Sequence, residues 1–525
     1  MTAATQPPRS YDVIGFGDEV PGVLALVSAA REYRRRTSKA LRTLLMFKGN
    51  SQEGIGGHLV RGGLAYLDRC TLPTDIRQAY GLPIFGEPSA IYQEFLHRAG
   101  VAQIALDPRK ADAALRAMLS EVGADIISRV QIQSVLRDGG KLRGVQLTTG
   151  SIFLGKQFID SSVNAEFAQA AGVQKLQGFG TFGLPDSELP VTLVFESQGL
   201  SIQRLKTIEL NYLKRFTNPN DAEAQHYIAI AAGSDPALMD QIRKSFVDEK
   251  GNLRTMYVGQ DHIDVRSRAL SVTYHAFRGK KMFLADSGVL LDQANIAILG
   301  GDRLSWNALM FYVTGAQAEA LARGAAKPTP AMVEEIGFVT KWLKSFGATT
   351  VKPASELYIR HAGNIQGVVE PLSGAQMLLG GVPPAEAIGT FGYYLDVRGG
   401  ITGLGKKAAE KGMSSISFPH PPLFNVGIRH ALVRSVPNLA VVSPVSGFDG
   451  YACAAGRIVE FNTMVGHGVG IAAGIALSSD RTLASITNAE VRQVLATTGK
   501  LPRIYGQSYT LEANRLQDFE SIMIA

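Results

Sequence analysis

The 525-residue sequence predicts an α/β protein whose main domain is discontinuous, a parallel sheet assembled from both ends of the chain around an inserted α+β domain. Three observations predict it. Strand and helix patterns alternate from Tyr11 to about Gly172, and the alternation resumes from Pro419 to Leu477. Between the two stretches the composition shifts toward Thr, Gln and Tyr with amphipathic helical segments. The expected boundaries are 1–175 for the first part of the main domain, 176–414 for the insert, 415–480 for the second part and 481–525 for a C-terminal tail.

The elements follow in order. Val13 to Phe16 is a short apolar run ending beside a glycine, and Val20 to Tyr33 puts Val20, Val23, Leu24, Leu26, Val27 and Ala30 on one helical face. Arg34-Arg-Arg36 ends that helix with the charge its C-terminus favours. Arg42 to Phe47 reads as the second strand, and Arg109 to Gly123 as a helix feeding a strand at Asp125 to Val130. A hairpin is expected around Asp138-Gly-Gly140, and Gln157 to Asp160 as a buried strand. Within the insert, Asp302 to Ala325 and Pro330 to Gly347 read as amphipathic helices. Asn438 to Val442 is a buried strand and Arg457 to Ala476 a helix, while the tail from Thr497 shows no pattern.

Composition narrows the function classes. Hydrophobic residues at 46% against 19% charged residues belong to a folded globular chain and not to a disordered one. The net charge of +7 is spread thinly, with no like-charge run beyond Arg34-Arg-Arg36, so no nucleic-acid partner is expected. A mild positive excess suits an anionic cofactor or small-molecule substrate equally well. Cys70 and Cys453 form no C-x-x-C pair, which argues against a disulfide framework and a thiolate metal site and suits a reducing, cytoplasmic setting. The first ten residues lack the apolar core of a secretory signal, and no run reaches 18 apolar residues, so no integral membrane association is expected. The sequence leaves a homo-oligomer open.

Chemistry concentrates in three segments. A strand and glycine turn opening a helix lets backbone N–H groups and the positive helix end meet a pyrophosphate. Read with a gap, Gly15, Gly17 and Gly22 fill the glycine positions. Read without one, Gly17, Glu19 and Gly22 do. The ungapped reading keeps the strand at full length and sets Glu19 where backbone and phosphate come closest; the alternative is an ordinary tight turn. The acid expected at the end of the second strand, for a ribose hydroxyl, is replaced by Phe47. Gly56-Gly57-His58 and Arg61-Gly62-Gly63 permit close passage over a flat polyanion, and His58 either donates to it or is a loop histidine. Gly466, Gly468, Gly470 and Gly474 in one helix cost up to about 1 kcal/mol each relative to alanine, which close packing against a ligand or another element would offset.

The order Asp12 to Gly22, Leu44-Leu-Met-Phe-Lys-Gly49, Gly56-Gly57, Gly144-Val145, Phe158-Ile-Asp160 and Glu166-Phe-Ala168 resembles the FAD-dependent oxidoreductases of the glutathione-reductase-like type. Leu357-Tyr-Ile-Arg360, Pro437 to Val441, and Arg457 followed by Gly466 to Gly474 look like the closing segments of the branch with a long inserted substrate domain. The resemblance implies a Rossmann-like FAD/NAD(P)-binding domain and a non-covalent FAD. It implies cofactor contacts at Gly17, Gly22, Lys48, Gly56, Gly57, His58, Val130, Ser161, Gly466, Gly468 and Gly470. It also turns the N-terminus of the last helix toward the pyrimidine end of the flavin. Family members usually carry Gly, Glu and Ala-Thr-Gly where this chain has Glu19, Phe47 and Ser161-Ser162-Val163. These departures leave open a shifted binding mode, a different nucleotide, or a scaffold without flavin.

The expected function is hydride transfer between a small anionic organic substrate and FAD, the alternative a non-catalytic binding or scaffold protein on the same fold. Arg360 and Arg457 are candidates to bind a carboxylate, and His361 or His430 to handle the proton. Arg429 belongs to the same basic set, and His420 is constrained between Pro419 and Pro421. Asp449 and Tyr451 lie on a segment that either touches the flavin ring or is a turn. His262 and His275 flank Asp264 without the spacing of a helical metal pair, and no metal is expected. A second intact glycine fingerprint for NAD(P) is absent.

Overall fold

Five short apolar runs from the two ends of the chain form one parallel sheet in the computed structural model, which describes residues 7–82, 84–414, 416–418, 420–505 and 512–524. Its elements are β1 (Val13–Phe16), α1 (Val20–Thr37), β2 (Thr43–Phe47), α2 (Pro108–Glu121), β3 (Asp125–Ser128), β4 (Gln157–Asp160), β5 (Leu439–Val441) and α3 (Val459–Ser478). The strand order is β5-β4-β1-β2-β3, with Ile14 in register with both Leu44 and Phe158, and Ala440 with Ile159. All residues of β1, β2, β4 and β5 are buried, as parallel strands covered on both faces require, while β3 forms a half-exposed edge. The hairpin Ile132–Asp138 and Lys141–Leu147 stands where Asp138-Gly-Gly140 predicts it.

The second end of the chain is held on the first by glycine. α3 is buried along nearly its whole length and runs beside α1. A Cβ on Gly466 would strike the Pro21 carbonyl, one on Gly470 the Ala25 carbonyl, and one on Gly474 would lie 2.8 Å from Glu32. The four-residue spacing puts these glycines on one stripe, so α3 presents no side chain there and its backbone comes close to α1. Ser28 Oγ adds a bond of 3.1 Å to the His467 carbonyl across the seam.

Residues 191–353 form a seven-stranded sheet with its own core, in which Trp306 stacks on Phe195 at 5.7 Å. Here the expected helix Asp302 to Ala325 is corrected. Gly300, Gly301 and Asp302 take φ of 80°, 58° and 57° and turn the chain into strand Arg303–Phe311, paired with Val289–Gly300. Leu304 and Trp306 meet Ile298 and Ile296 across that hairpin, so period-two burial decides the segment. Only Gly315–Arg323 is helical, opened by a capping box of Thr314 and Gln317. Pro330–Ser345 is the predicted helix. Among the described residues no single helix is long and apolar enough to cross a membrane.

The tail is also corrected, because Glu512–Met523 is a helix burying Ala513, Leu516, Phe519, Glu520 and Met523. Glu520 accepts bonds from the Ala375 and Tyr451 N–H groups at 2.8 and 2.9 Å. Burial pushes its carboxyl up to about 7 against the pull of those amides, so the folded chain favours the protonated form. The contribution is complete below the ordinary carboxyl range and is lost as pH rises through about 7. Melting temperature measured from about pH 4.5 to about pH 7.5 should fall less steeply in Glu520→Gln than in the unaltered chain. Equal slopes would assign the loss to other groups.

Candidate functional site

Strand β1 ends at Gly17, whose φ of 90° and N–H bond to the Met46 carbonyl at 2.8 Å set the turn into α1. A Cβ on Gly17 would meet the Ser161–Ser162 backbone and one on Gly22 the Ser161 side chain, while Ser161 Oγ donates to the Gly17 carbonyl at 2.8 Å. Gly17, Gly22 and Ser161 therefore lock β1, α1 and β4 together. The next turn, at Gly56 and Gly57 with φ of 130° and 47°, folds over this point.

Acidic side chains fill the space between the turns. Glu19 is the N-cap residue of α1 but does not cap it; its carboxyl instead accepts the His58 N–H at 3.1 and 3.3 Å. Asp18 accepts the Gly56 and Gly57 N–H groups at 3.0 and 3.3 Å. Arg61 forks onto Asp18, with one bond at 2.8 Å, and gives its Nε to Glu356 at 2.8 Å. Burial and then Asp18 hold the Glu19 carboxyl well above its ordinary range. Burial pushes His58 down to about 3, and its neutral ring accepts the Ile359 N–H at 3.3 Å. Phe47 is buried with the Arg61 guanidinium 5.1 Å over its ring. About 60 Å³ remains among Gly17, Glu19, Lys48, Arg61, Ser162 and Glu356. As folded, this turn does not fit a dinucleotide pyrophosphate, because the amides are taken and the volume is that of a few waters.

The other expected cofactor contacts make the following bonds and contacts within the chain. Lys48 is ion-paired with Glu166 and donates to the Arg323 carbonyl at 3.1 Å. Val130 is buried in the core and bonds the Phe47 carbonyl through its N–H at 3.2 Å. Gly466 and Gly470 serve the seam with α1, and Gly468 faces Ile428 and Ile388 at 2.6 and 2.8 Å. Glu460, in the first turn of α3, accepts Arg69 Nε at 2.5 Å and the Cys70 N–H at 3.2 Å.

A second constellation lies where the last segments meet the insert. Arg360 is buried, with Nη1 on the Pro190 carbonyl at 2.8 Å and on Thr192 Oγ1 at 2.7 Å, and its guanidinium 4.3 Å over Tyr358. It has no ion-pair partner among the described residues, and burial lowers it to about 10. Arg457 is buried and touches Asp396 only at 3.5 Å. Burial opposes its charge, but Tyr358, Tyr393, Asp68 and Asp396 outweigh this and raise it. His361 sits at φ 47°, rare for a non-glycine residue, with Nδ1 3.3 Å from Glu188. Arg360 Nε, Arg457 Nε and His361 Nε2 are buried without hydrogen-bond partners among the described residues. Tyr66, Asp68, Phe85, Tyr393, Asp396 and Phe418 line an adjoining cavity of about 620 Å³.

The structure thus groups Arg360, His361 and Arg457 with His58, and the sequence reading missed Glu188, Tyr358, Tyr393 and Asp396. Phe448 and Phe461 enclose His430, with ring centres at 5.1 and 5.8 Å; its Nε2 has no hydrogen-bond partner among the described residues, and burial alone pushes it down to about 3. Arg429 pairs with Glu370 at 2.9 Å, and His420 is exposed, while Pro419 lies outside the described residues. Asp449 accepts Asn364 Nδ2 at 3.0 Å, and Tyr451 packs on Phe182, Phe418 and Phe519. His262 leans on Asp261, and His275 bridges the Lys280 carbonyl and the Leu291 N–H.

A family model described as FAD dependent oxidoreductase matches residues 12–495. Among solved structures, the chain is similar to a geranylgeranyl bacteriochlorophyll reductase-like protein from Thermoplasma acidophilum, with 12% identity and a TM-score of 0.37 over 94% of this chain and 85% of that one. It is also similar to L-proline dehydrogenase from P. horikoshii, with 10% identity and a TM-score of 0.35 over 94% of this chain and 100% of that one. The flavin-dependent brominase Bmp2 is similar at 10% identity and a TM-score of 0.34, over 98% of this chain and 88% of that one. No curated protein matches the sequence. The family match takes in both glycine turns, the insert and α3, and the chain belongs to the FAD-dependent oxidoreductase family, whose cofactor is FAD.

Proposed function

We propose that the protein is an oxidoreductase exchanging a hydride between a small, anionic organic substrate and FAD. The observation that carries this reading is the buried set of Arg360, Arg457 and His361, each with a polar atom left without a partner, of which Arg457 reaches Asp396 on the wall of a cavity of about 620 Å³. Unsatisfied buried polar atoms are costly, and a ligand that bonds them recovers the cost. A substrate carboxylate would take Arg457 from Asp396, whose contact is long and whose side chain is 37% exposed. Glu188 orients His361 by accepting from Nδ1–H, which leaves Nε2 as the base for the proton released when a substrate O–H or N–H bond breaks. FAD, when bound, supplies the hydride acceptor.

The filled glycine turn supports a second reading, a binding or scaffold protein that works without flavin. FAD-loaded protein mixed without oxygen with carboxylic-acid substrates and their neutral amides separates the two. Bleaching of the flavin by an acid, with kcat/KM lowered about 10–100-fold in Arg457→Gln for the acid and little for its amide, is expected from losing a charge-assisted hydrogen bond. Equal loss for acid and amide would remove the carboxylate from the proposal, and a chain that never takes up flavin would favour the scaffold.

A further inference from the structure

We infer that Glu19 is an internal ligand of the cofactor cradle, holding an amide that the FAD pyrophosphate would otherwise receive, so that the two compete for one site. The inference rests on FAD as the family's cofactor and concerns what this chain does to it. Glu19 occupies the position where the glycine fingerprint brings backbone closest to phosphate, the second glycine of the ungapped reading. An acid at a helix N-cap ordinarily accepts from its own first turn. Glu19 makes no such bond and reaches instead to His58 N–H with both carboxyl oxygens.

The partner turn is shaped around it. A Cβ on Gly57 would collide with the Glu19 carboxyl, so the glycine that could admit a phosphate oxygen here admits the chain's own side chain. Asp18 completes the substitution by taking the two preceding amides, with Arg61 as its counter-ion. The plug works by hydrogen bonding and volume, since both Glu19 carboxyl oxygens take the His58 N–H and fill the space a Cβ on Gly57 would need. FAD can use the turn only when Glu19 withdraws.

Dissociation constants for FAD, from quenching of flavin fluorescence by the full-length chain, test this directly. Glu19→Gly should tighten FAD by about tenfold or more, while Glu19→Gln, which keeps the volume and a carbonyl oxygen for His58 N–H, should stay within about twofold of the unaltered chain. Glu19→Ala gives the same expectation should the glycine variant fail to fold, with thermal unfolding as the check on each. Equal or weaker binding in Glu19→Gly and Glu19→Ala would overturn the competition. Equal tightening by Glu19→Gln would overturn it in favour of charge repulsion. If the unaltered chain binds FAD tightly and no variant changes it, the inference fails and the FAD reading stands. If none of the proteins binds FAD, both fail.

Discussion

Arg61→Ala is expected to destabilise the folded chain by about 3–5 kcal/mol, the range for removing one member of a buried ion-pair set. Arg61 is the only cation within bonding distance of both Asp18 and Glu356 among the described residues, although Lys327 approaches Glu356 at 3.7 Å. Burial already raises Glu356 above its ordinary range while Arg61 pulls it down. Without the guanidinium, two buried carboxyls would face each other, and the Gly54 carbonyl would lose its bond of 2.8 Å. Urea unfolding should show a lower midpoint with an unchanged slope. A loss under about 1 kcal/mol would mean that water enters and solvates the acids, and that the turn opens to solvent.

Gly470→Val is expected to cost about 3 kcal/mol, at the upper end of overpacking effects, and to loosen the attachment of the C-terminal segment. The new Cβ would collide with the Ala25 carbonyl and lie 2.5 Å from Ser28 Cβ, and neither is the end of a flexible side chain. The sheet gives no room for α1 to retreat, since its other face covers β1 and β2. Gly405→Ala supplies the contrast, because nothing lies within 4 Å of a Cβ there and alanine should gain up to about 1 kcal/mol in a helix. Opposite signs for the two substitutions are the expected result of thermal unfolding. A neutral Gly470→Val would show that the seam between α1 and α3 is not close-packed.

The parallel sheet was legible because strands covered on both faces must be apolar throughout, and each such run lay beside a glycine or a turn. The hairpin at Arg303–Phe311 was not, since its apolar residues also fit a helical face and only pairing with Val289–Gly300 decides between them. The tail helix was overlooked although Ala513, Leu516, Phe519 and Met523 mark one face. Glu19 and Phe47 were visible as departures at the right place. Their consequence was not, because Arg61 reaches Glu356 across 295 residues and His361 meets Glu188 across 173. The glycines of α3 announced close packing without naming the partner, which for Gly466, Gly470 and Gly474 is α1.

In this reading the chain keeps the family's cofactor, FAD, and guards the cradle with its own carboxyls. Titration of the full-length protein with FAD, followed by the visible absorbance of the flavin, tests it most directly. The expected result is saturable binding of a single FAD per chain, weak in the unaltered protein and tighter in Glu19→Gly. A flavin spectrum left unperturbed by both proteins would contradict it.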